Sequence, residues 1–220
     1  MRIKEEQLFE EWKGCREGFV SDGLVSESDY INSELKLCFV LKEVNDLGGG
    51  GWDLREYLKG GARSQTWDNV SRWIYCIRNL KGKGFVKWAE LDRIDNEFRT
   101  KHLRSICAMN LKKSPGGHTA EKIGFEKVIL EDKDYIQKQY NIYGPDVTIC
   151  CGTGWALRRI LDLNENEVFE TSRGIKWFLN QYNKPVLMYA HPAARVQDSL
   201  LVYGLVDAVN EIYTSQFVDD

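Results

Sequence analysis

Three apolar runs, each passing directly into a polar or glycine-rich loop, constrain this chain more than any other feature. Residues 37–41 (LCFVL) lead into Lys42, Glu43, Val44, Asn45 and Asp46, and then into Gly48, Gly49, Gly50 and Gly51. Residues 105–109 (SICAM) lead into Asn110, and residues 186–190 (VLMYA) into His191 and Pro192. A short run that is apolar throughout suits a strand buried on both faces, as in the middle of a parallel sheet. Open α/β sheets bind their ligands beyond the carboxyl ends of the strands. The three loops are therefore predicted to bring a carboxylate, an amide and an imidazole to one pocket.

The segments between the runs read as helices. Trp67, Val70, Trp73, Ile74, Ile77 and Leu80 have the spacing of an amphipathic helix over 67–80. Further helices are predicted over 4–20, 26–35, 92–102, 155–163 and 199–213, with one over 122–143 stopped by Gly144 and Pro145. Residues 147–151 form another apolar strand, and 174–183 are mixed in character. Strands alternating with helices predict one domain over residues 1–220, an α/β fold. Its expected form is a three-layer α/β/α sandwich with a central, mainly parallel four-stranded sheet.

At 220 residues the chain can bury a full core, and 43% hydrophobic with 29% charged residues is a globular balance. No apolar run approaches the roughly 20 residues of a membrane helix, and the first residues lack a secretion signal's apolar stretch. Cys38, Cys107, Cys150 and Cys151 sit inside apolar stretches, as reduced thiols of a cytoplasmic protein do. With no C-x-x-C pair and three histidines, no metal site is expected. The net charge of −3 carries no overall signal for nucleic acid. Basic residues nevertheless gather between Arg78 and Lys113, as either a phosphate-binding face or ordinary solvated helix surfaces.

The loops resemble, in order and content, the uracil-DNA glycosylase superfamily. The branch concerned carries G-E-x-P-G, then N-x-V-K-C-R-P-P, then H-P-S. Here Lys42-Glu-Val-Asn-Asp46, Asn110-Leu-Lys-Lys-Ser-Pro-Gly-Gly117 and His191-Pro-Ala-Ala stand in those places, and Pro145 through Gly152 to Ala156 is similar to the strand and turn between the last two. The first motif lacks its proline and glycine. Ser114 replaces the iron–sulfur cysteine, so no cluster and no other cofactor is expected.

The resemblance implies hydrolysis of a base–sugar bond in DNA, duplex or single-stranded, after the base is flipped out. The transition state is positive on the sugar and negative on the departing base. Glu43 is the candidate carboxylate beside the sugar, with Asn45 and Asp46 as rivals, and His191 is the candidate donor to the base. Asn110 suits a pyrimidine edge and is equally a common turn residue. Trp52 or Tyr57 is expected to stack on the base. Lys112, Lys113 and Ser114 are expected at phosphates, and Ala193 and Arg195 where relatives fill the gap left by the flipped base. His102 and His118 are read as a helix-surface and a loop residue. The four glycines are read as a missing pocket wall, admitting a base larger than uracil, such as a hydroxymethylated or glucosylated cytosine of phage DNA. The alternatives are a uracil-specific repair enzyme, a catalytically inactive DNA-binding protein of the same fold, and an enzyme for free nucleosides. A monomer without membrane contact is expected.

Overall fold

The computed structural model describes residues 1–116 and 122–216. Among these residues the fold is mixed α/β around a seven-stranded sheet. Four strands run parallel at its centre: β2 (Leu37–Leu41), β3 (Cys107–Asn110), β4 (Val147–Cys151) and β7 (Pro185–Tyr189). These are the four strands predicted from the apolar runs, within two residues at each end. The sheet is wider than predicted, because β1 (Gly23–Leu24), β5 (Phe169–Glu170) and β6 (Lys176–Leu179) extend it antiparallel at the edges, in the order β1-β3-β2-β4-β7-β6-β5. Two-residue strands carry no periodic signal, and β6 lies within the stretch whose sequence is mixed.

Helices α1 (Arg2–Lys13), α2 (Glu27–Ile31), α3 (Leu54–Lys59), α4 (Ser64–Lys83) and α5 (Asn96–Leu103) occupy the first half. Helices α6 (Lys122–Glu131), α7 (Lys133–Tyr143), α8 (Gly154–Ile160) and α9 (Asp198–Gln216) follow. The single helix predicted over 122–143 breaks at Asp132, whose buried carboxylate takes the Arg16 guanidinium at 2.9 and 3.0 Å.

Alternation along the strands divides the core. Leu37, Phe39, Ala108, Ile149 and Leu187 pack with Val70, Trp73 and Ile74 of α4 and Val202, Leu205 and Val209 of α9. Cys38, Val40, Met109 and Cys150 pack with Phe9 and Trp12 of α1, Ile136 and Tyr140 of α7, and Leu157 of α8. Period-two alternation sends neighbouring residues to opposite faces, so a strand apolar throughout feeds both clusters. From β2 the chain goes to β3 on one side and returns to β4 on the other. The order therefore reverses between β2 and β4, and the carboxyl ends beside that reversal are where open sheets hold ligands.

Candidate functional site

The three loops beyond β2, β3 and β7 line one cavity of ≈ 550 Å³. Glu43, Asn45 and Asp46 come from the first, Asn110 from the last position of β3 where the second begins, and His191 and Ala193 from the third, with Trp52 and Tyr57 beside them. Arg63, Gln65, Thr66 and Trp67, at the start of α4, together with the apolar Leu41, Val44 and Leu54, complete the lining and were not foreseen as site residues. Helix α4 begins three residues before the first residue of the apolar pattern. Its N-cap, Arg63, makes no side-chain cap hydrogen bond, so the usual start signal is missing.

The first two loops stay paired beyond their strands. Leu111 and Lys112 N–H donate to the Leu41 and Lys42 carbonyls, each at 3.0 Å, and Gly116 N–H donates to Val44 at 2.9 Å. Gly116 lies so close to Glu43 that a Cβ there would sit 2.2 Å from the carboxylate carbon. The Glu43 carboxylate is 7% exposed and takes Lys112 Nζ at 2.5 Å. The same ammonium donates to the Pro115 carbonyl at 3.0 Å. Lys112, expected at a phosphate, is instead the counter-ion of Glu43. Ser114 is half-buried on this loop.

Lys113 is the clearest correction. Its side chain is fully buried, with Nζ 2.6 Å from Asp22 and 2.9 Å from the Asn110 carbonyl. Its ammonium also lies 5.0 Å from the centre of the Trp12 ring. Burial pushes its pKa down against the pull of Asp22. It cannot reach a DNA phosphate. Asp22 also receives Gln139 Nε2 at 2.7 Å and, on its other oxygen, the Asn110 backbone N–H at 2.7 Å and Nδ2 at 3.3 Å. The network continues from Gln139 to the Tyr143 hydroxyl and on to Glu5, which takes Arg55 at 2.6 Å and Arg2 at 2.7 Å. A carboxylate only accepts, so Asp22 fixes the Asn110 amide with its nitrogen inward and leaves the amide oxygen for the cavity.

Asp46 holds the glycine loop. Its carboxylate accepts from Gly48 N–H at 2.7 Å, Gly50 N–H at 3.0 Å and Trp52 Nε1–H at 2.9 Å, led by Trp52 in drawing its pKa below the usual range. Gly49, Gly50 and Gly51 all have positive φ, of 93°, 80° and 78°. A Cβ on Gly50 would meet the Gly18 carbonyl oxygen at 2.0 Å. The run is glycine because three successive left-handed residues and this close approach exclude side chains. Gly48, Gly49, Gly50 and Gly51 do not line the cavity, so the reading of them as a missing pocket wall is corrected.

His191 stands just past β7. Its Nδ1 accepts the Ala193 N–H at 3.1 Å, which places the proton of the neutral ring on Nε2. The ring is solvent-accessible, yet the protein packed around it, followed by the nearby Arg63 charge, lowers its pKa below the ordinary 6.5. A neutral imidazole with an Nε2–H donor results. Asn69 of α4 fixes the loop by donating Nδ2 to the Pro192 carbonyl and to Asp198, both at 2.9 Å. Arg195 is exposed on the same loop.

The remaining basic residues between 78 and 113 include several with structural partners. Arg78 binds Ser33 and Ser105, Arg99 pairs with Asp68 at 2.8 Å, and Arg104 with Asp29 at 3.0 Å. His102 is half-buried, 4.3 Å from the Phe98 ring, and burial lowers its pKa to about 4. His118 lies outside the described residues. Neither a comparison with protein-family models nor one with curated proteins finds a match.

Proposed function

We propose that this cavity is the active site of a DNA glycosylase, which receives a flipped base and hydrolyses its bond to the sugar. The observation that carries the reading is His191, held neutral with Nε2–H as its donor, on the same cavity as Glu43 and the oriented amide of Asn110. As the glycosidic bond breaks, its electrons leave with the base, and a hydrogen bond from Nε2–H stabilises the negative charge that develops there. The negative charge of Glu43 opposes the positive charge on the sugar, and Asn45 is the neighbouring polar side chain for the attacking water. The Asn110 oxygen accepts from a ring N–H or an exocyclic amine. The three-layer arrangement of this superfamily is part of the same reading, supported by the two apolar clusters.

The cavity has the size of one that encloses a drug-sized ligand, larger than a bare pyrimidine needs. Its volume, rather than the glycine loop, favours a substituted cytosine, such as a hydroxymethylated or glucosylated base of phage DNA. The test is release of base from duplex and single-stranded DNA carrying uracil, hypoxanthine, hydroxymethylcytosine or its glucosylated form. Abasic-site cleavage and mass spectrometry of the freed base provide the readout. Release from the bulky cytosines supports the reading, and release of uracil alone replaces the substituted base with uracil.

A second reading, a DNA-binding protein without catalysis, draws on the Glu43–Lys112 pair and the Asp46 clasp, which engage two candidate carboxylates internally. Binding of every DNA in the panel without release of any base would select it.

A further inference from the structure

The start of α4 carries groups that the proposed base chemistry leaves unused. Helix α4 has 20 residues, no acidic residue in its first turn and no side-chain cap from Arg63. The first amides of such a helix point outward without intrahelical acceptors and favour an anion. Two further observations point to a ligand there. Thr66, in the same turn, is 6% exposed and lines the cavity, and its hydroxyl has no hydrogen-bond partner among the described residues. The hydroxyl is not sealed off from solvent, so it stands open to something polar bound in the cavity that Thr66 lines. Arg63 also lines the cavity and has no ion-pair partner among the described residues, unlike the paired Arg55, Arg72 and Arg99.

We propose that Arg63, the Thr66 hydroxyl and the first-turn amides of α4 form an oxyanion subsite that takes a phosphate group of a nucleotide within this cavity. A guanidinium fork and outward backbone amides suit phosphate oxygens, and a hydroxyl adds a donor of fixed position. The inference rests on the glycosylase reading only for where that phosphate comes from. A phosphodiester of DNA and the monophosphate of a free nucleotide share the chemistry and differ in source.

Calorimetric titration of the full chain at low salt tests the subsite, with inorganic phosphate as the probe. Deoxycytidine 5′-monophosphate, deoxycytidine and a short single-stranded oligonucleotide serve as competitors. Saturable phosphate binding is expected, weakened about tenfold or more by Arg63→Gln and measurably by Thr66→Val, with thermal unfolding of both variants unchanged. Displacement by the oligonucleotide supports the subsite and assigns the phosphate to DNA. Displacement by the monophosphate alone supports the subsite and assigns it to a free nucleotide, at the expense of the DNA reading. No saturable phosphate binding, or equal affinity in the wild type and both folded variants, overturns the proposal. These readouts are independent of base release: a failed subsite leaves release untouched, and phosphate binding without release overturns the glycosylase reading alone.

Discussion

Behind the cavity, Glu5, Asp22, Arg55 and Lys113 are buried and paired with one another or with Gln139 and Tyr143. At the cavity itself, His191 and Arg63 are exposed, Arg63 without a counter-ion among the described residues, and the Thr66 hydroxyl is unpartnered. Asn110 belongs to both regions, its nitrogens on Asp22 and its oxygen on the cavity side. The contrast teaches that charge near a site divides by its partners. The inner groups stabilise one arrangement of the strand ends, and the rim groups are left with interactions for a ligand to complete. Glu43 lies between these cases, lining the cavity while paired with Lys112.

The strongest way to break this contrast is Asp22→Ala, which leaves the Lys113 ammonium uncompensated in the core. Denaturant unfolding should show a loss of about 3–5 kcal/mol, and adding Lys113→Met should restore much of it. A loss no greater than that of a surface substitution would show that the inner network does not hold the loops. Glu43→Gln should cost about 1 kcal/mol in the same assay, because its pair is only partly buried, while base release slows. A stability loss equal to that of Asp22→Ala would put Glu43 with the inner network. Arg63→Gln sharpens the contrast at the smallest scale, changing stability by no more than about 0.5 kcal/mol. Removing a cation beside the imidazole should raise the His191 titration midpoint in NMR, since Arg63 disfavours the charged ring. An unmoved midpoint would separate Arg63 from His191.

The strand ends were legible because a buried parallel strand has an unmistakable composition and a polar residue directly after it has only one place to go. That logic located Glu43, Asn110 and His191 on one cavity. It failed for Lys113, because its partner Asp22 is 91 residues away and a lysine after a strand looks solvent-facing in sequence. It failed again for the glycines, whose positive φ values and contact with Gly18 are properties of the folded loop. Arg63, Gln65 and Thr66 escaped notice because a helix entered without a capping side chain leaves no mark before its first apolar residue. The edge strands were hidden by brevity, two of them being two residues long.

The most direct test of the account is single-turnover base release against pH for the wild type and His191→Ala, on whichever base of the panel is released. Removing the Nε2–H donor should slow release by about 10²–10³-fold, with DNA binding and stability retained. In the wild type the rate should hold down to the ordinary histidine value of 6.5 and fall only below it, because the His191 pKa is lowered. Protonation of Nδ1 then sets two N–H groups against each other at Ala193 and displaces the ring. An unchanged rate in His191→Ala, or no release by the wild type from any DNA tested, would contradict the account.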